Sequence, residues 1–105
     1  MPNKINTNPM RFDGVTTDAE NAQLTGAKYI EKVEWTSHSG RALSATHSME
    51  VTDAAGVVKY EKYAAYAGDD YGSGRLTPPD ILNGIKVTVL GGGILRIWLT
   101  PLSRG

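Results

Sequence analysis

The sequence predicts an all-β protein, a small antiparallel β-sandwich or jelly-roll-like barrel with an extended N-terminal arm. Three observations lead there. Apolar residues alternate with polar ones in several short runs, the period of a half-buried strand. Clusters of glycine, serine, asparagine and aspartate punctuate those runs. No long stretch carries the period of a helix.

The elements follow in chain order. Residues 1–10 hold two prolines and three asparagines and read as an arm, either disordered at the terminus or ordered against a neighbouring subunit. Residues 11–105 form the single sandwich domain. A short strand is expected from Met10 to Val15, with Met10, Phe12 and Val15 facing inward. Asp18 to Leu24 can hold one helical turn capped by Thr17 or Asp18. Lys28–Trp35 reads as a strand with Tyr29, Val33 and Trp35 on one face, followed by turn chemistry at residues 37–40. Leu43–Val51 alternates, with Leu43, Ala45, His47, Met49 and Val51 on one side. Asp53-Ala54-Ala55-Gly56 then turns the chain into Val57–Tyr63, its hairpin partner.

Residues 67–80 contain three glycines and two prolines and are expected to be irregular. The closing stretch places Ile85, Val87 and Val89 in one alternating run and Leu95, Ile97 and Leu99 in another, around Gly91-Gly92-Gly93. The economical reading is a second hairpin, because a three-residue connection needs a positive φ that glycine reaches without a Cβ clash. Pro101 ends the last strand ahead of a short tail.

Composition narrows the classes of function. The chain has 105 residues, 40% hydrophobic and 21% charged, as in an ordinary globular domain. Eleven basic side chains balance eleven acidic ones, and without a basic excess nucleic acid is not an expected partner. Zero net charge brings little self-repulsion and suits a chain that assembles with copies of itself. With no cysteine there are no disulfides, thiolate metal sites or thiol nucleophiles, and a reducing cytoplasm is the expected place of folding. The N-terminal residues lack the apolar core of a secretory signal, and no apolar run is long enough to span a membrane.

Chemistry-bearing residues are sparse. His47 on an apolar strand face reads as a packed histidine, and His38 as a solvated turn residue. No Gly-x-Ser-x-Gly elbow marks a serine nucleophile. Asp69-Asp70, with or without Asp80, lacks the alternating ligand pattern of a calcium loop. The three glycines are not followed by the Lys-Ser/Thr of a phosphate loop. The expectation is therefore a non-enzyme with no metal and no cofactor. Tyr63, Tyr66 and Tyr71 lead into the glycine-rich loop, either as core fill or as an exposed contact surface.

Four segments together resemble a known type of protein: Lys32-Val33-Glu34-Trp35, the Asp53–Val58 turn, Asn83-Gly84-Ile85-Lys86-Val87, and the Gly92–Leu99 strand. Spread over residues 28–99, they resemble head-decoration (cement) proteins of jelly-roll type, small virion proteins of tailed bacteriophages. The resemblance implies a structural protein made in the bacterial host cytoplasm and located on the capsid exterior. Its partners would be the major capsid protein and itself, as a homodimer or homotrimer, with no membrane involved. It carries no catalytic residues. The expected contacts are Ile5 and Met10 of the arm and Tyr71, Arg75 and Leu76 of the long loop. The alternative is a tail, baseplate or host-attachment component of the virion, and carbohydrate binding in particular is favoured if Trp35 or Trp98 lies exposed beside acidic groups.

Overall fold

The alternating runs fold into eight strands and one short helix in a computed structural model that describes residues 3–38 and 42–100. In order these are β1 (Met10–Phe12), α1 (Asp18–Gln23), β2 (Ala27–Thr36), β3 (Ser48–Thr52), β4 (Val58–Tyr63), β5 (Tyr71–Gly72), β6 (Asp80–Asn83), β7 (Lys86–Leu90) and β8 (Ile94–Leu99). They make two antiparallel sheets. The larger runs β1-β8-β2, and the far edge of β2 is shared by β5 and β6. The smaller runs β4-β3-β7. Met10, Phe12, Ile30, Val33, Trp35, Leu95 and Ile97 of the larger sheet are buried in one apolar cluster with Met49, Val51, Tyr60, Val87 and Leu90 of the smaller. This is the all-β sandwich that the alternation predicts.

The β3–β4 hairpin forms, with Gly56 at φ +89 in its turn and the Asp53 side chain accepting from the N–H groups of Ala55 and Val57. The other expected hairpin does not. β7 pairs with β3 in the smaller sheet, whereas β8 pairs with β1 and β2 in the larger. Gly91–Gly93 therefore carries the chain from one sheet across to the other. A Cβ on Gly92 would lie 2.5 Å from His47 Nδ1, and one on Gly93, at φ +70, 2.7 Å from the Thr36 carbonyl oxygen. The glycines answer a close approach between the sheets as well as a turn. Gly84, at φ +90, does the same between β6 and β7, where a Cβ would meet Ala54 Cβ at 2.8 Å.

Two inward-facing assignments shift because of a β-bulge, which adds a residue and reverses the alternation beyond it, and two others because the strand is shorter than expected. A register shift between Ile30 and Lys32 puts Ile30 in the core and leaves Tyr29 half-exposed. A shift in the β3–β7 pairing buries Val87 and Leu90 and leaves Val89 exposed. Val15 lies beyond β1 and is exposed. Residues 42–47 are a turn rather than the start of β3: Thr46 has φ +81, His47 N–H donates to the Ser44 carbonyl, and Ala45 is exposed.

Helix α1 begins as expected at Thr17, whose hydroxyl accepts from Glu20 N–H while the Glu20 carboxylate accepts from Thr17 N–H. Residues 71–76 are more regular than their composition suggests. The ten-residue β2 has a second edge to satisfy, and the segment runs along it: Ser73 N–H donates to the Val33 carbonyl, Val33 N–H donates to Ser73 Oγ, and Leu76 N–H donates to the Glu31 carbonyl. The expected turn at residues 39–40 and the tail from Pro101 onward lie outside the described residues.

Candidate functional site

Strand order decides which part of the sandwich offers unsatisfied surface. β7, at one end of the smaller sheet, is covered by Thr16, which exchanges backbone and hydroxyl hydrogen bonds with Val87. β4, at the other end, has no such cover: among the described residues no segment pairs with its outer edge. Seven large hydrophobic side chains are exposed in the described chain, and four of them, Val57, Val58, Tyr63 and Tyr66, fall along this edge and its two flanks. Tyr63 and Tyr66 are 66% and 62% exposed.

The segment presenting Tyr66 is held in shape by Asp69. Its carboxylate accepts from the N–H groups of Ala65 and Asp70 and lies 3.5 Å from Lys62 Nζ. The hydrogen bond from Ala65, then that from Asp70 and the Lys62 charge, hold its pKa below the ordinary aspartate value against the opposing effect of desolvation. Gly68 N–H donates to the Leu43 carbonyl, which ties the loop to the body. Beneath the edge, Tyr60 points inward and donates to Asp80 Oδ2 at 2.6 Å, joining β4 to β6 of the opposite sheet. Burial, and then the Asp80 carboxylate, push the Tyr60 pKa well above the ordinary phenol value.

The residues expected to make contacts are spread over other parts of the molecule. Met10 is buried in the core and packs β1 rather than presenting a surface. Ile5, Tyr71 and Leu76 are half-buried against the core. Arg75 is exposed and lies 3.4 Å from Glu31. Residues 3–9 are held to the chain's own domain: Asn3 Oδ1 accepts from Asp13 and Gly14 N–H, Lys4 bridges Arg11, and Asn8 exchanges two hydrogen bonds with Leu99. Ile5–Asn8 with Leu99 and Thr100 line a cleft of about 240 Å³.

Of the two tryptophans, Trp98 alone reaches the surface. Trp35 is fully buried and its Nε1–H donates to the Gly92 carbonyl at 2.8 Å. One face of half-buried Trp98 is covered by the Lys32 ammonium, 4.8 Å from the ring centre. His47 Nδ1 accepts from Ser44 N–H and packs over Gly91 and Gly92. Among the described residues no cluster of three His, Asp or Glu side chains is arranged to hold a metal, and no helix is long and apolar enough to cross a membrane.

Sequence reasoning reached Tyr63 and Tyr66 as one of two readings, and missed the edge that gathers them with Val57 and Val58. The signal present was their density, two valines and three tyrosines in the ten residues 57–66. Among the described residues, the smaller sheet keeps an uncovered edge at β4, flanked by exposed valines and tyrosines. Comparison with family models, with curated proteins and with solved structures finds no match for the chain.

Proposed function

We propose that the chain is a structural interaction protein of a tailed-bacteriophage particle, a decoration (cement) protein that binds the outer capsid surface and bridges neighbouring capsomers. The observation that carries the interaction role is the uncovered β4 edge with Val57, Val58, Tyr63 and Tyr66. Tyrosines supply large contact area at low rotamer cost, and a pre-shaped loop lowers the ordering cost of binding. The choice of the capsid as partner rests on the resemblance carried by residues 28–99. On a capsid, contacts of modest area per subunit are multiplied by the repeating lattice, so weak sites hold firmly.

Quantitative mass spectrometry of purified particles from the phage or prophage that encodes the chain tests this reading. A copy number comparable with that of the major capsid protein supports it. A few copies per particle moves the chain to the tail or baseplate, and absence from the particle refutes a virion role.

A further inference from the structure

We propose that β4 is a self-association edge. Two copies pair antiparallel about a twofold axis at Tyr60 and fuse their three-stranded sheets into one continuous six-stranded sheet. The inference concerns the chain alone in solution and does not depend on the capsid reading.

Backbone geometry leaves the edge ready to pair. Ala64 N–H donates to the His47 carbonyl, and the Ala64 carbonyl accepts from Thr46 N–H, so Ala64 turns both polar groups toward the β3 side. Alternation along an antiparallel strand then turns those of Tyr60 and Lys62 the same way, and those of Glu61 and Tyr63 outward. Burying such an edge against a second strand satisfies groups that are otherwise left to water.

Charge selects the partner and the register. Glu61 lies directly opposite Glu50 of β3, a like-charge cross-strand pair that destabilises the isolated sheet. Lys59 is the extra residue of the β3–β4 bulge: Val51 pairs with Tyr60 and Thr52 with Val58, so Lys59 has no cross-strand partner. Neither Lys59 nor Glu61 makes an ion pair within the described chain. A twofold axis at Tyr60 sets Lys59 against the partner's Glu61, twice by symmetry. Shifting the axis by one residue to Glu61 sets Glu61 against the partner's Glu61. The strand thus matches a second copy of itself in one register and repels it in the next. Such a dimer also brings Lys59 close to the Glu50–Glu61 pair that the monomer leaves uncompensated.

The test is sedimentation velocity on the full chain across a micromolar concentration series, with four variants. The wild type is expected to dimerise. Lys59→Glu and Glu61→Lys alone each place like charges opposite one another at two symmetric positions, and each is expected to weaken dimerisation on the order of tenfold or more. The combined Lys59→Glu/Glu61→Lys variant restores opposite charges and is expected to recover the dimer. Glu61→Pro removes an outward-facing N–H together with the Glu61 carboxylate and takes no donor from the β3–β4 ladder, so it is expected to block the dimer while circular dichroism shows the sandwich intact. A monomer at every concentration overturns the proposal. So does a dimer insensitive to Glu61→Pro, a larger oligomer, or a charge swap that fails to restore what the single changes remove.

Discussion

Alanine substitutions at the three consecutive glycines distinguish a crossover between sheets from a hairpin turn. In a hairpin, only a glycine at positive φ resists a side chain, and that is Gly93 at φ +70. Gly92 does not have a positive φ, so a hairpin would accept alanine there. In the crossover, a Cβ on Gly92 falls 2.5 Å from His47 Nδ1, 2.8 Å from His47 Cε1 and 2.8 Å from the Ala42 carbonyl oxygen. Relieving an overlap of that depth in a packed region costs about 1–3 kcal/mol. Gly93→Ala adds left-handed strain of roughly 1–2 kcal/mol to a Cβ contact of 2.7 Å with the Thr36 carbonyl oxygen, for a total of about 2–5 kcal/mol. Gly72 is the control, because its φ is not positive and nothing lies within 4 Å of an added Cβ, so alanine there should change stability by no more than ~0.5 kcal/mol. The assay is equilibrium urea unfolding followed by tryptophan fluorescence, since Trp35 donates its indole N–H to the Gly92 carbonyl and reports on this crossing. His47→Ala in the Gly92→Ala background removes two of the three overlaps, and the pair should be less destabilised than the sum of the single changes by about 1 kcal/mol. If Gly92→Ala matched Gly72→Ala in stability, the crossover argument would be refuted.

Three further outcomes are expected. Tyr60→Phe loses the hydrogen bond to the Asp80 carboxylate and should destabilise the fold by about 1–2 kcal/mol in the same unfolding assay. Because the native environment raises the Tyr60 pKa, its stabilising contribution is complete below the ordinary phenol pKa of about 10 and is lost as pH rises above that value. Ultraviolet titration should accordingly show one tyrosine that ionises only on alkaline unfolding, and Tyr60→Phe should remove it. Asp69 has the opposite sign: its lowered pKa gives stability that is present above the ordinary aspartate pKa of about 3.9 and lost as pH falls through the native value. Asp69→Asn should therefore flatten the acid limb of a stability–pH profile and speed hydrogen exchange at Ala65 and Asp70, and an unchanged acid limb would exclude the role given to this carboxylate. Met10→Ala should lower stability by about 2–5 kcal/mol, as expected of a fully buried methionine, whereas a change in partner binding with stability intact would place Met10 on a contact surface instead.

The fold class was legible because it depends on local periodicity. The Asp53–Gly56 turn, the Thr17 cap and the outward placement of Arg96 and Trp98 against inward Leu95 and Ile97 all follow from residues a few positions apart. Strand pairing was less legible. β3 and β4 are the only consecutive strands that hydrogen-bond to each other among the described elements, and every other pairing joins segments distant in sequence. Gly91-Gly92-Gly93 is compatible with both a tight turn and a close crossing. What decides between them is that His47, Thr36 and Trp35 stand within 3 Å of where a side chain would be, which no local pattern reveals. The inward faces of β2 and β7 were misread for a related reason: alternation fixes a face only up to the next bulge, and both strands carry one.

The candidate site was the least legible part, because being an edge is a property of the sheet and not of the strand. β4 and β7 read alike in sequence, both short, alternating and lysine-containing. Thr16 covers β7 only because the chain between β1 and α1 passes beside Val87. Nothing passes beside β4 among the described residues, so Val58 and Tyr63 stay in solvent, as do Val57 and Tyr66 at its flanks. Lysines on an edge strand ordinarily discourage pairing with other chains. Here Lys62 is engaged by Asp69, while Lys59 stands unpaired two residues from an unpaired glutamate. That arrangement excludes a generic neighbouring strand more strongly than it excludes an antiparallel copy of itself, because only a strand carrying the same lysine and glutamate two positions apart neutralises both charges at once. The same two residues that protect the edge from indiscriminate pairing therefore give it a preference for one partner.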